Sequence, residues 1–306
     1  MAIPEVKKIW MNGQLVDWAD AKVHLLTHAL HYGSGVFEGI RAYATPRGPA
    51  VFRLTDHLER LHRSAKLYYM EIPYTTPEMA RATKDLIKAN ELEHCYIRPI
   101  VFRGYGEMGL YPLAAPIDVA IAVWPWGTYL GDEGIKHGVR AKVSSIQSLD
   151  HHSISPLAKA CGQYLNSILA KIEVVKSGYE EAIMINDHGH VTQGTGENIF
   201  MVREGKIVTP PISAGILDGI TRETVMEIAE KMGNAVVEKD FTRAELIHAD
   251  EAFYTGTAAE VVPIREVDDR LIGEPGPVTR QIQGVFHEII TGTSEQYDHY
   301  LEYVND

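Results

Sequence analysis

Along the chain, apolar residues form short alternating runs interleaved with longer stripes at helical spacing. Ile9-Trp10-Met11 and Leu15-Val16 flank Asn12-Gly13, a dipeptide favoured in tight primed turns, so the chain is predicted to open with an antiparallel hairpin. Val51 to Leu54 reads as a short strand. Leu58, Leu61, Ala65 and Tyr68 then share one helical face, with Arg60 off it as a solvated side chain would be. A helix around Pro77 to Asn90 leads to a strand from Tyr96 to Phe102, on which Tyr96 and Arg98 point the same way. Ile117 to Trp124 is nearly all apolar and reads as a strand buried on both faces.

The second half repeats the alternation. Val139 to Ile146 and Glu181 to Asn186 read as strands, as do the tail of Val191 to Val202 and Glu251 to Tyr254. Between them Leu165, Ile168, Leu169, Ile172 and Val175 recur at helical spacing behind Pro156, which puts Lys159 in the first turn of an amphipathic helix. Val225, Ile228, Ala229 and Met232 mark another helix, with Thr221 as its N-cap and the preceding amides left for an anion. The pattern predicts an α+β protein of two domains. A small one covers 1–125, a glycine-hinged connector 126–136, and a larger one 137–306.

Composition narrows the partners. The 306 residues are 45% hydrophobic and 23% charged, as in ordinary globular proteins, and 29 Lys+Arg against 41 Asp+Glu give a net charge of -12. That charge repels a phosphate backbone, so nucleic acid is not expected as a partner. The N-terminus lacks the apolar core of a signal peptide and no stretch is long enough to span a bilayer, so the expected address is cytoplasmic, with no membrane partner. Cys95 and Cys161 lack CxxC spacing and read as free thiols. His24, His28 and His31 could share a helix face, but no carboxylate sits at a zincin-like position, so no metal is expected.

The candidate chemistry centres on Lys159, in the small-residue run Ser155-Pro156-Leu157-Ala158-Lys159-Ala160-Cys161-Gly162. Small neighbours let a planar partner approach, and burial favours the neutral amine that attacks an aldehyde. Glycines 33, 35 and 39 suggest backbone brought close to a ligand or another chain, and the Leu217 to Glu223 segment and the loop Thr255 to Glu260 offer amides and hydroxyls to an anion. Tyr96 beside Arg98 suits a carboxylate, and a strand-face ion pair would use the same residues. Neither GxGxxG nor GxxxxGKS occurs at a strand-helix junction, which leaves dinucleotides and nucleoside triphosphates unsupported.

The segments HYGSGVFEGIR, RLHRSAK, YIRP, PWGTYLG, AKACGQYLNS, QGTGENIF, GITRET and GTAAE, in this order, resemble the branched-chain amino acid aminotransferases. These are class IV pyridoxal-phosphate enzymes of fold type IV, which implies two α+β domains with mixed and antiparallel sheets and flanking helices. The resemblance implies transamination between leucine, isoleucine or valine and 2-oxoglutarate. It makes Lys159 the catalytic lysine bound to pyridoxal 5'-phosphate, with Tyr164 on the ring hydroxyl and Leu217 against the ring. Arg60, Ile220, Thr221 and Thr257 would hold the phosphate beside Gly219 and Gly256. Phe37, Gly39, Tyr129, Gly196 and Ala258 would shape the substrate pocket, and Tyr96, Arg98 and Arg41 would receive carboxylates. Tyr32, Met108 and Leu110 would reach a neighbouring subunit's site, in homodimers or in hexamers made of three dimers.

The sequence departs from the family at one cofactor position. Gln193 stands where the family carries a glutamate beside the pyridine nitrogen; either Glu197 supplies the charge instead or the ring is less activated. A D-amino acid or (R)-amine aminotransferase, or an aminodeoxychorismate lyase, shares the fold and the lysine. A cofactor-binding protein without catalysis is the reading outside enzymology.

Overall fold

The computed structural model describes residues 3–127 and 130–306. Its helices and strands run β1 (Lys8–Met11), β2 (Gln14–Asp17), α1 (His28–Tyr32), β3 (Gly35–Phe37), β4 (Ile40–Thr45), β5 (Gly48–Phe52), α2 (Leu54–Leu67), α3 (Thr76–Ala89), β6 (Cys95–Arg103) and β7 (Ile117–Trp124). They continue α4 (Gly131–His137), β8 (Val139–Val143), α5 (Tyr164–Lys176), β9 (Glu181–Ile183), β10 (Asn198–Arg203), β11 (Lys206–Thr209), α6 (Ile220–Lys231) and β12 (Val236–Glu238). The last are α7 (Arg243–Ile247), β13 (Glu251–Gly256), β14 (Glu260–Val267), β15 (Arg270–Leu271), α8 (Pro277–Ile290) and β16 (Leu301–Tyr303). The chain forms two compact units. One joins Met1–Gly127 to Ala158–Gly162 and Glu288–Asp306, and the other comprises Thr128–Leu157 and Gln163–His287. The region expected as one large domain thus gives two segments to the first unit, one of which carries Lys159.

The first unit is built on an antiparallel sheet ordered β16-β5-β4-β6-β7-β1-β2. The Asn12-Gly13 turn joins β1 to β2 with positive φ at both residues (47° and 88°), as the primed turn requires. At nine residues β6 is long enough to take two partners on one edge, β4 along Cys95 to Ile97 and β3 along Ile100 to Phe102. The chain leaves the sheet between those partners at Glu38-Gly39. Glycine at 39 makes room for Tyr96, because a Cβ there would lie 2.0 Å from the Tyr96 hydroxyl. The stripes of α2 (Leu54, Leu58, Leu61, Ala65) and α3 (Met79, Leu86, Ile87) share a core with Ile97, Val101, Val119 and Ile121. Each fully buried aliphatic side chain there contributes roughly 1.5–3 kcal/mol. β7 is fully buried on only one face, since Ala120 and Ala122 alternate with Val119, Ile121 and Val123 and remain half-exposed. Alanine is small enough to leave that face open, which the run of apolar letters does not reveal.

The second unit carries a mixed sheet ordered β12-β11-β10-β13-β14-β8-β9, with β15 on β14. The pairs β11–β12, β14–β8 and β8–β9 are parallel. With the antiparallel sheet of the first unit this is the α+β architecture expected. Two helix expectations need correction. Gly219, not Thr221, is the N-cap of α6, so Thr221 lies within its first turn. In α5 the buried face is Ala170 and Val174, which pack with Tyr179, Ala182 and Met184. The predicted stripe faces outward instead, with Leu165 68% and Leu169 56% exposed. The helix carries apolar residues nearly all round, and its small residues fit the close approach to β9.

Candidate active site

Lys159 lies on extended backbone, not on a helix; α5 begins only at Tyr164, after a single 3-10 turn. Ala160 bridges Val36 in antiparallel fashion. The Lys159 carbonyl accepts the Phe37 N–H at 3.0 Å, and its own N–H donates to the buried Ser64 hydroxyl at 3.1 Å. The lysine backbone is thereby held by both β3 and α2. The small-residue run has a visible purpose at Gly162, whose Cα would lie 2.9 Å from a Cβ at Gly33.

The half-buried lysine puts Nζ 5.3 Å from the Phe37 ring centre. Arg98 reaches the same ring, its guanidinium carbon 4.5 Å from the centre, and its Nη2 donates to the Tyr96 hydroxyl at 3.3 Å. Its Nε is buried without a partner among the described residues. Tyr96 also packs against Trp124 and Trp126, with centroids 5.1 and 5.0 Å away. Arg41 stacks on Tyr43 at 4.8 Å. An amine and a guanidinium with a donor to spare therefore meet at the Phe37 ring, and the same guanidinium reaches Tyr96 of the Tyr96–Trp124–Trp126 cluster.

Arg60 is not the solvated residue its place off the apolar stripe suggested. It is buried, and the Glu38 carboxylate accepts from its Nε at 2.7 Å and its Nη2 at 2.9 Å. His57 Nδ1 lies 2.8 Å from the same carboxylate. Burial, the largest single influence, would raise the Glu38 pKa, but the charges and hydrogen bonds of Arg60 and His57 together outweigh it and hold the carboxyl far below its usual range. Burial keeps His57 neutral, against the opposing pull of Glu38. Its Nδ1–H then donates to Glu38, which leaves Nε2 as a buried acceptor with no partner among the described residues.

Tyr32, Met108 and Leu110 belong to an exposed surface that is nonetheless pinned. The His28 ring bonds the Ser34 hydroxyl at 2.6 Å and the Gly109 carbonyl at 2.8 Å, and Arg103 donates to the Pro112, Tyr68 and Tyr69 carbonyls. Leu110 is 90% exposed at the tip.

In the second unit Gln193 and Asn198 converge on Leu217. Its N–H donates to Gln193 Oε1 at 3.0 Å, and its carbonyl accepts from Asn198 Nδ2 at 2.9 Å. Gly219 is needed beside them, since a Cβ would lie 2.0 Å from Asn198 Oδ1. From Gly219 the chain enters α6, with Ile220 and the buried Thr221 in the first turn and no side chain capping the end. The first-turn amides of a helix have no acceptor within it and attract an anion. Helix α6 packs on β13, which ends at Gly256 beside Glu197 and passes through Thr257 and Ala258 into β14. The Thr255 hydroxyl there is buried and unpartnered among the described residues. Gly196 is exposed next to Glu197, and Tyr164 opens α5 half-buried. Tyr129 lies outside the described residues. A glycine-lined cradle, a helix start and an orphaned hydroxyl fit a planar group that ends in an anion.

The chain that carries this lysine, guanidinium and cradle is matched by one family model, amino-transferase class IV, over residues 35–267. The chain belongs to the class IV aminotransferases. Over 292 residues it is 48% identical to the branched-chain-amino-acid aminotransferase of Pseudomonas aeruginosa, covering 94% of each chain. The crystal structure of the Escherichia coli branched-chain amino acid aminotransferase matches with a TM-score of 0.96 at 43% identity, covering 98% of this chain and 100% of that one. The branched-chain amino acid aminotransferase of Thermobaculum terrenum, in its PLP-form, matches with a TM-score of 0.90 at 35% identity, over 98% and 99% of the two chains. The fold is thus that of the type IV aminotransferases.

Sequence reasoning passed over Glu38, His57, Ser64 and Asn198 as site residues. Glu38 left a signal, a lone acid inside the apolar run Val36-Phe37-Glu38-Gly39-Ile40. His57, Ser64 and Asn198 left none, because their partners are remote in sequence.

Proposed function

We propose that this class IV aminotransferase moves the amino group of leucine, isoleucine or valine to 2-oxoglutarate with pyridoxal 5'-phosphate. One observation carries the reading: around the Phe37 ring stand the Lys159 amine and the Arg98 guanidinium. An amino acid with an aliphatic side chain needs an amine-exchanging group, a carboxylate receptor and an apolar wall, and all three are there. Once the substrate amine has displaced Lys159 from it, the cofactor supplies an electron-withdrawing ring that acidifies the substrate Cα–H, with Nζ released as a free amine.

The chain's own groups do the rest in this reading. Lys159 Nζ takes the proton from Cα on one side and returns it at the cofactor's C4′. Arg60 and the amides and hydroxyls of Ile220, Thr221 and Thr257 bind the phosphate, with Glu38 fixing the Arg60 fork. Tyr164 meets the ring hydroxyl, and Gln193 lies by the ring nitrogen. Leu217, with Gly219 and Gly256, gives the ring its bed. Arg98 and Tyr96 orient a carboxylate, and Arg41 receives the second carboxylate of glutamate. Gly39, Gly196 and Ala258 keep room for the side chain, and the Trp124–Trp126–Tyr96 stack excludes water.

The exposed Tyr32, Met108 and Leu110 are the surface of a homodimer in which each copy borders its partner's site. The outward apolar face of α5 suits a further association of dimers into a hexamer, since apolar patches of this kind are covered in stable proteins. Among the described residues no helix is long and apolar enough to cross a membrane. Cys95 and Cys161 are both unbonded, which fits a reducing, cytoplasmic setting. The decisive assay is glutamate formation from 2-oxoglutarate with each branched-chain L-amino acid. Turnover confined to D-alanine, an (R)-amine or aminodeoxychorismate would replace this reading with one of the other class IV chemistries.

A further inference from the structure

A side-chain amide has two unlike ends, and the structure orients the one at Gln193. The Leu217 N–H, which can only donate, points at it over 3.0 Å, so the atom it meets is the carbonyl oxygen. The NH2 end is turned away from Leu217 with two protons to give. Gln193 is half-buried, and its Nε2 finds no acceptor among the described residues. Asn198, paired with Gln193 across an isolated bridge, holds the Leu217 carbonyl from the other side. Both polar groups of the Leu217 backbone are therefore fixed by amides, and Gln193 cannot turn over without losing its bond.

Glu197, the nearby acid, turns one carboxylate oxygen into its own loop. Its Oε2 accepts the Gly196 N–H at 3.0 Å, and the side chain is buried so close to Gly194 that a Cβ there would lie 2.8 Å away. A glutamate at 193 could accept the Leu217 N–H with one oxygen and a ring N–H with the other. Glutamine keeps the first bond and reverses the second.

We infer that Gln193 is a donor to the pyridine nitrogen of the cofactor through Nε2, so that this nitrogen carries no proton of its own. The inference rests on the reading above that Gln193 lies by the ring. At neutral pH an amide neither releases a proton to the nitrogen nor balances a positive charge on it. The electron demand of the ring is accordingly lower in this chain, and the Cα–H that Lys159 deprotonates is less acidic.

The test is the 15N chemical shift of cofactor labelled at the ring nitrogen and bound to the full-length protein. The wild type should show the deshielded signal of a neutral pyridine, and Q193E, which retains the Leu217 bond, the shielded signal of a pyridinium. A pyridinium signal in the wild type overturns the inference. So does a neutral signal in both proteins, because a carboxylate at the nitrogen could not leave it unchanged. Borohydride reduction of the same samples tests the underlying reading separately. Label on a lysine other than 159 overturns that reading and the inference with it, whereas label on Lys159 together with a wild-type pyridinium overturns the inference alone.

Discussion

Replacing Glu38 by glutamine should destabilise the protein more than any comparable change of one atom type elsewhere in the site. The carboxylate accepts from Arg60 at 2.7 and 2.9 Å, from His57 at 2.8 Å and from the Gly39 N–H at 3.2 Å. Glutamine has one oxygen with which to answer these donors, and its NH2 must face another N–H. Arg60 stays charged whatever happens around it, so E38Q leaves a buried cation uncompensated. Removing one member of a buried pair costs about 3–5 kcal/mol, against a total stability of roughly 5–15 kcal/mol. With an m value of about 3 kcal/mol per molar, the urea midpoint of the cofactor-free protein should fall by about 1–1.7 M. Replacing Glu38 and Arg60 together by methionine should cost less than the sum of the single changes, because no charge is left unpaired. The pH profile adds a signature. His57 is held below its usual 6.5, so the unfolded chain takes up a proton first, and stability falls as pH drops below about 6.5. Glu38 is likewise depressed: its contribution is complete above the ordinary carboxylate value of 4.5 and is lost as pH falls further toward its folded pKa. E38Q should lose that second decline. A midpoint within about 0.2 M of the wild type, equivalent to about 0.5 kcal/mol at that m value, would refute the assignment of Glu38 as the counter-charge of a buried Arg60.

Two further outcomes follow from the site geometry. T221V and T257V should each weaken cofactor binding by roughly 10- to 150-fold, equivalent to about 1.5–3 kcal/mol for a hydrogen bond to a charged group; unchanged dissociation in both would remove these hydroxyls from the phosphate. G39A should force the Tyr96 hydroxyl away from Arg98, since the new Cβ would lie 2.0 Å from it, and should raise KM for amino acid and oxo acid alike by about tenfold or more. Unaltered KM values would take the Tyr96–Arg98 pair out of substrate binding.

What the sequence disclosed was whatever is decided locally. The Asn12-Gly13 turn, the α2 stripe and the pairing of Tyr96 with Arg98 each depend on neighbours a few residues apart, and each stands as the spacing implied. Lys159 was misplaced onto a helix because Pro156 and the distant leucines imitate a helix start, while the bond that keeps the segment extended comes from Val36 and Phe37. For Arg60 the stripe left a solvated side chain open for the same reason. Its counter-charge lies twenty-two positions earlier, at a gap between two strands. The α5 face shows a different limit, since periodicity reveals that a stripe is apolar but not whether this chain covers it.

The account turns on Lys159 being the lysine that binds the cofactor. Borohydride reduction of the loaded protein followed by peptide mapping asks this directly. The account predicts the phosphopyridoxyl label on Lys159 alone, with K159A unlabelled and inactive toward leucine. Label on Lys171 or Lys176, or full activity in K159A, would contradict it.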